Sequence, residues 1–389
     1  MQDLDPYGKP IQDFTAGLYE LYGNLRAVAP VWRSPRTGYW LVSGYEAVTA
    51  LLKEPGLSSD LYKFFPAEKT VASTALRTSQ ENWMSMQDEP RHSHLRRDFL
   101  ELCSPARVNL LESYILERAE ILSAPLRVKG EMEFVGDLVV PLVISLLAHW
   151  LGVDQERMQD FNYAAQRTAG HLPPDADGNS PGFKAAAILL DVFASKLSSD
   201  HKITQEGAVQ LSTREQVDNL CLLVFAAFET LVNFLPNALL EILKHPEQRE
   251  YFCAASPGGR EAAIDELLRY CGSVLDIPRV VQQDFELEAL PGFVFKRGDY
   301  MLLMLAAANR DPLQFSEPDK LDLTRANARH LALGSGAHYC IGSHLSKLLS
   351  RLLLGYMLES FPNLSFDSER VKYIPSYGLR GLFYLYLRA

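Results

Sequence analysis

Cysteine is scarce in this chain of 389 residues: five thiols, at positions 103, 221, 253, 271 and 340, odd in number and with no Cys-x-x-Cys spacing. That argues against a disulfide framework or a zinc site and points to a reducing cytoplasm. Basic residues are outnumbered, 38 against 48 acidic, for a formal net charge of −10. A nucleic-acid partner would want a basic patch, so none is expected. No leader is expected either. The start, Met-Gln-Asp-Leu-Asp-Pro-Tyr, has neither a basic head nor an apolar core. The most apolar run, 138–153, is broken by Pro141, carries His149, and falls short of the ~20 residues of a spanning helix. No membrane association is expected. With 47% hydrophobic and 22% charged residues the chain is not a disordered one. No repeat or linker divides it, so one domain over 1–389 is expected.

What is present centres on His330-Leu-Ala-Leu333-Gly334-Ser-Gly336-Ala-His338-Tyr-Cys340-Ile-Gly342. Gly334 and Gly336 bracket a tight turn in which the backbone can visit positive φ and approach a ligand closely. Apolar residues then recur at helical spacing. Cys340 therefore falls at or just before a helix N-terminus, where unpaired N–H groups and the positive dipole end favour a thiolate.

Other stretches stand out in chain order. Residues 31–42 alternate around a Pro/Gly turn and predict a hairpin; 54–80 predicts an irregular loop. Asp88 is placed as the N-cap of a helix with Pro90 in its first turn. On that helix His92 and Arg96 are four apart and share a face, ordinarily a solvated basic helix end. Residues 104–170 are mostly helical, with a break near Lys129-Gly130. The Pro, Asp and Gly of 171–182 predict a loop, a candidate lid. Residues 213–244 form the longest helical pattern, apolar nearly all round in its middle and hence buried. Glu229 and Thr230 are anomalous there, because a buried carboxylate and hydroxyl need partners. Pro236 should kink the helix near Val232. Glu266 and Arg269 stand i, i+3, usually a surface pair worth under about 1 kcal/mol. From 277 onward the pattern turns to hairpins, the last around 378–385.

The register Gly334-x-Gly336-x-His338-x-Cys340-x-Gly342 resembles the haem-binding loop of cytochrome P-450 enzymes. The order of the remaining motifs agrees: His92-x-x-x-Arg96, Ala226-Ala-Phe-Glu229-Thr230, Glu266-x-x-Arg269 and Arg279. The resemblance covers nearly the full length. It implies a mainly α fold with a smaller β-rich part, the cytochrome P-450 fold, and one haem b with the Cys340 thiolate as axial iron ligand. Leu333, Gly334, Gly342 and Ala226 would lie against the haem. His92, Arg96, Arg279, His330 and His338 would bind its propionates as charge-assisted donors. Thr230 and Glu229 would deliver protons on the distal face. Phe228, Leu231, Leu275 and Asp276 would shape the substrate pocket, and Glu266 with Arg269 would lock the scaffold beneath the haem. Asp276 could meet a basic substrate group or be a buried structural carboxylate.

The activity implied is monooxygenation of a small or carrier-bound organic molecule in secondary metabolism. Electrons would come from an external ferredoxin and a reductase using NAD(P)H, serving a cytoplasmic monomer. Oxidative coupling, a peroxide-driven reaction, or an inactive haem-binding sensor are the alternatives. Two residues depart from the family pattern. Leu333 stands where an aromatic ring, usually Phe, packs beside the thiolate, and Ala227 replaces the usual Gly.

Overall fold

The computed structural model describes residues 5–64, 74–168, 181–198, 211–326 and 328–389. The chain forms two compact units with interleaved segments. One takes the residues up to 64 with 233–340 and 354–389; the other takes 65–232 and 341–353.

The first unit is built on a five-stranded sheet in the spatial order Val31–Arg33, Trp40–Val42, Tyr300–Leu303, Ile277–Val281, Leu57–Ser58. The first two strands are the 31–42 hairpin, with Trp32 opposite Leu41. Trp40–Val42 then runs parallel to Tyr300–Leu303, which is antiparallel to Ile277–Val281. Successive strand residues point to opposite faces, and these strands carry apolar residues at both parities. Val31, Val42, Val281, Met301 and Leu303 face one way, onto Val48 and Leu51 of the Tyr45–Leu51 helix and onto Leu331. Leu41 and Leu302 face the other way, onto Phe14, Leu18, Tyr22 and Leu25 of the helices Ile11–Ala16 and Leu18–Val28. The sheet is thus covered on both sides.

Beside it, the Pro257–Cys271 helix carries Glu266 and Arg269, both 0% exposed at their side chains. Their pairing is bidentate, Nε to Oε2 at 2.7 Å and Nη2 to Oε1 at 2.8 Å. The remaining guanidinium protons go to the carbonyls of Asn309, Pro318 and Lys320. Glu266 also accepts from Arg325 Nε and the Asp322 N–H. This is a hub, not the weak surface pair that spacing alone suggests.

The final hairpin pairs Lys372–Tyr373 with Leu382–Tyr384. Its turn is sewn to the segment before Ile277: Leu275 N–H to Gly378 O at 2.9 Å, Arg380 N–H to Ser273 O at 2.7 Å. Asn237 Nδ2 donates to Arg380 O at 2.9 Å. At Gly381 a Cβ would lie 1.8 Å from Asn233 Oδ1, so only glycine fits that close approach.

The second unit is helical. Glu112–Lys129 ends at Gly130 with φ 74°, the expected break. Pro141 sits in the first turn of Val140–Trp150, which it tolerates. The longest helix, Thr213–Lys244, has the expected bounds. Its start is fixed by fully buried polar groups: Asp218 accepts from Asn82 Nδ2 at 2.7 Å, and Asn219 Oδ1 accepts from Met84 N–H at 2.8 Å. It alone among the described residues is long and apolar enough to cross a membrane, but 72% of its most apolar window is buried, as in a core helix.

Two local expectations change. Asp88 does not cap the Arg91–Leu100 helix. Glu89 does that work, accepting from Ser93 N–H at 3.2 Å, because its longer side chain reaches the free amides of the first turn. The stretch 54–80 is not wholly irregular: it holds Leu57–Ser58, Leu61–Phe64 and Thr74–Gln80. Its residues 65–73, and residues 171–180 of the candidate lid, lie outside the described residues.

Candidate active site

In the first unit the loop around Cys340 has the conformation its glycines require. Gly334 and Gly336 take φ of 72° and 73°. A Cβ on Gly336 would also stand 3.1 Å from Leu52 O. Cys340 N–H donates to Leu333 O at 2.9 Å, closing the loop on the residue where the family's ring is replaced. Cys340 is half-buried, whereas Cys103, Cys221 and Cys271 are buried. Burial pushes the Cys221 and Cys271 thiols up, away from thiolate character. Gly342 is half-buried two residues further on, ahead of the Ser343–Ser360 helix.

The cationic candidates of this unit diverge. Arg279, on Ile277–Val281, is 8% exposed and donates to Pro278 O at 2.8 Å. His338 Nε2 lies 3.1 Å from Ser59 Oγ, a partner 279 residues away in sequence. His330, expected at a propionate, is committed elsewhere. Its Nε2 faces Asp265 Oδ1 at 3.2 Å and its Nδ1 accepts the Ala332 N–H at 3.2 Å. With both ring nitrogens engaged it is a structural residue that pins the loop to the Pro257–Cys271 helix. Leu275, expected in the substrate pocket, is 1% exposed and packs with Phe14, Tyr22 and Met304. Asp276 is half-buried, and its Oδ2 accepts the Tyr7 hydroxyl proton at 2.8 Å.

In the second unit His92 is 2% exposed at its side chain, with Nδ1 3.1 Å from Glu89 Oε1; Arg96, one turn on, is half-buried. The middle of the long helix has one accessible stripe. Phe225, Ala226, Ala227, Glu229 and Thr230 retain accessible surface, while residues 221–224, Phe228 and Leu231 are buried. Phe228 and Leu231 are each 2% exposed and point away from that stripe, so they do not shape a pocket on it. Phe225 is half-buried on that side, backed by Trp83 at a ring-centroid distance of 5.3 Å. Neither was picked out from the sequence, because an all-round apolar helix does not reveal which side stays open. Thr230 Oγ1 donates to Ala226 O at 2.8 Å, the local back-bonding expected of a mid-helix threonine. Burial raises the Glu229 carboxyl above the usual range.

A family model for cytochrome P450 matches residues 260–377, the stretch from the Glu266–Arg269 helix through the cysteine loop. Beyond that stretch, the cytochrome P450 monooxygenase PikC of Streptomyces venezuelae is 31% identical over 393 residues, covering 95% of this chain and 91% of that protein. This chain is a cytochrome P450. The biotin biosynthesis cytochrome P450 of Bacillus subtilis is 28% identical over 388 residues, 95% of each chain. The crystal structure of P450BioI with a fatty-acid-loaded acyl carrier protein superposes with a TM-score of 0.85, at 28% identity, covering 97% of this chain and 99% of that one. The P450 is accordingly an oxidoreductase of the monooxygenase class.

Haem is the family's cofactor, and the donor set fits it. No cluster of three or more His, Cys, Asp or Glu that could chelate an ion occurs among the described residues. A half-buried thiol on a glycine-shaped loop suits a metal that brings its own equatorial ligands. Leu333 is half-buried beside that loop. Lacking an aromatic ring, it would leave the sulfur less shielded from water, and exposure tunes such centres. A Leu333→Phe variant is expected to show a shifted reduction potential and slower haem loss to a scavenger globin. Spectroelectrochemistry and transfer kinetics would read both, and identical values would remove the role given to Leu333.

Proposed function

We propose that this P450 oxidises a small, largely apolar molecule of secondary metabolism, free or carrier-bound, as a cytoplasmic monomer. It would take electrons singly from a ferredoxin reduced by an NAD(P)H-dependent reductase. The loaded acyl carrier protein in the P450BioI complex supports the carrier-bound form of substrate. Cys340 would hold the haem, with His92, Arg96, Arg279 and His338 on its carboxylates, and the thiolate-bound group supplies O2 activation.

The observation that carries the reading is the accessible stripe on the Thr213–Lys244 helix. Thr230 spends its hydroxyl proton on Ala226 O, so its lone pairs can receive a proton or a hydrogen bond from the open side. Glu229, adjacent and shifted toward its neutral form by burial, can hold a proton, pass it on and recover it from solvent. Phe225 and Ala226 leave one bulky and one small contact beside that relay, setting how near a substrate approaches.

The first test is the visible spectrum of the dithionite-reduced protein under carbon monoxide. A far-red-shifted Soret band, absent from Cys340→Ala, is expected; its absence from the unmutated protein would refute the haem-thiolate assignment. Next, Thr230→Val is expected to keep consuming NADPH while product per NADPH falls at least about tenfold. The electrons would leave as hydrogen peroxide. Unchanged coupling would remove Thr230 from proton delivery.

A further inference from the structure

In the second unit, an acid that the proton relay does not use stands beside a residue assigned to the haem carboxylates. That residue is His92, on the Arg91–Leu100 helix. It is 2% exposed at its side chain and turns inward with Leu95 and Phe99, at i, i+3 and i+7. Its Nδ1 lies 3.1 Å from Glu89 Oε1. Glu89 itself is 50% exposed, and an exposed glutamate ordinarily keeps its rotamer freedom. Here it is held at both oxygens. Ser93 Oγ donates to Oε1 at 2.6 Å, and Ser93 N–H donates to Oε2 at 3.2 Å. The Ser93 hydroxyl bond, joined by His92 and opposed by desolvation, holds the Glu89 carboxyl below its ordinary range. A contrast lies two residues along the same helix, where His94 has a buried Nε2 with no hydrogen-bond partner. Helical position by itself does not give a histidine a carboxylate; residue 89 does.

A half-turn about χ2 carries each ring nitrogen to a carbon's place, so a histidine serves a ligand only when something fixes its ring. A carboxylate can only accept, so Nδ1 must bring the hydrogen to Glu89. A haem carboxylate is acceptor-only as well. With Nδ1 spent on Glu89, it is met by Nε2. Hydrogen on both nitrogens is the imidazolium, which suits a ring held between two anions. The same division of roles orients histidines that ligate metals, where the outer partner sets the tautomer and the ring angle.

We propose that Glu89 is a positioning residue for haem, holding the Nδ1 edge of His92 so that the ring meets a haem carboxylate through Nε2, with Ser93 locking Glu89 in place. The inference deepens the proposed function and rests on its placing His92 on a haem carboxylate. In this role Glu89 acts through His92 and not on the reacting atoms. Its capping of the helix is a separate role, made through Oε2.

The test uses the holoenzyme carrying Glu89→Gln, which keeps an acceptor oxygen for the Ser93 N–H and removes the charge. Haem transfer to a scavenger globin is expected to be about tenfold faster, the lower end of what losing such an outer partner costs. The propionate bending mode in the resonance Raman spectrum reads hydrogen bonds to those carboxylates and should fall in frequency. Ser93→Ala, which loosens Glu89 without replacing it, should move both readouts the same way by less. In a His92→Leu background, Glu89→Gln should change neither. Either readout left at its parent value by Glu89→Gln would overturn the proposal. So would an effect of Glu89→Gln that persists without His92, the mark of a cap acting on its own. The two readings fail separately. If His92→Leu leaves both readouts unmoved, His92 is not on a haem carboxylate and the proposal falls with that placement. If His92→Leu moves them and Glu89→Gln does not, Glu89 alone is misassigned. Should His92→Leu hold no haem, the Raman mode of Glu89→Gln against the parent decides.

Discussion

Glu266→Gln is expected to lower the unfolding free energy by about 3–5 kcal/mol, a large share of the roughly 5–15 kcal/mol that holds a domain together. The carboxylate has two guanidinium partners and a backbone N–H, and it is fully buried. Glutamine keeps the shape but turns one acceptor oxygen into a donor aimed at a guanidinium. Arg269, 0% exposed, would keep its charge and lose the carboxylate that pairs with it. The opposite design, replacing both partners by apolar residues, would leave the carbonyls of Asn309, Pro318 and Lys320 without donors. Urea denaturation followed by circular dichroism measures the loss. A change below about 1 kcal/mol would show that the hub carries no more than an exposed pair does.

Asp276→Asn is expected to act the other way, and only at neutral to alkaline pH. In the folded chain the carboxyl titrates near 6, while the unfolded chain releases its proton at the ordinary 3.8. Between these values the folded state holds more protons than the unfolded state, so stability falls as pH rises through the window. Above pH 6 the full penalty of a buried, unpaired charge persists. Asparagine has no charge to bury and can still accept from Tyr7. The variant should therefore gain about 2 kcal/mol at pH 8, discounted for the partial exposure of the group, and almost nothing at pH 4. Denaturation curves at the two pH values decide. A gain of equal size at both would mean the charge is not the cause.

How much could be read beforehand varied by physical origin. The long helix was legible from its unbroken apolar run, and the fold class from the order of the motifs. The turn at Gly334 and Gly336 was legible because positive φ selects glycine. Orientation within the long helix was not. Phe228 and Leu231 looked as suitable for the pocket as Phe225, since all lie in an apolar stretch, and only packing shows which side stays accessible. Long-range partners were hidden for another reason. The contacts of His338 with Ser59, Tyr7 with Asp276 and His330 with Asp265 join segments 279, 269 and 65 residues apart, and no local pattern encodes them. Asp88 misled because Asp is a good cap in general, and a neighbouring glutamate outcompeted it.

The close approach of Gly381 to Asn233 bears on any effort to retrain this enzyme for new substrates. The terminal turn invites randomisation, yet one end of it is a fixed pivot. A library that includes position 381 will be filled with inactive clones because the backbone has been pushed off Asn233, whatever the new side chain could have recognised. Diversity belongs at Leu379, whose backbone is held by its bridge to Val274 and whose side chain is half-buried. Directed evolution of the turn therefore starts with one letter already spoken for.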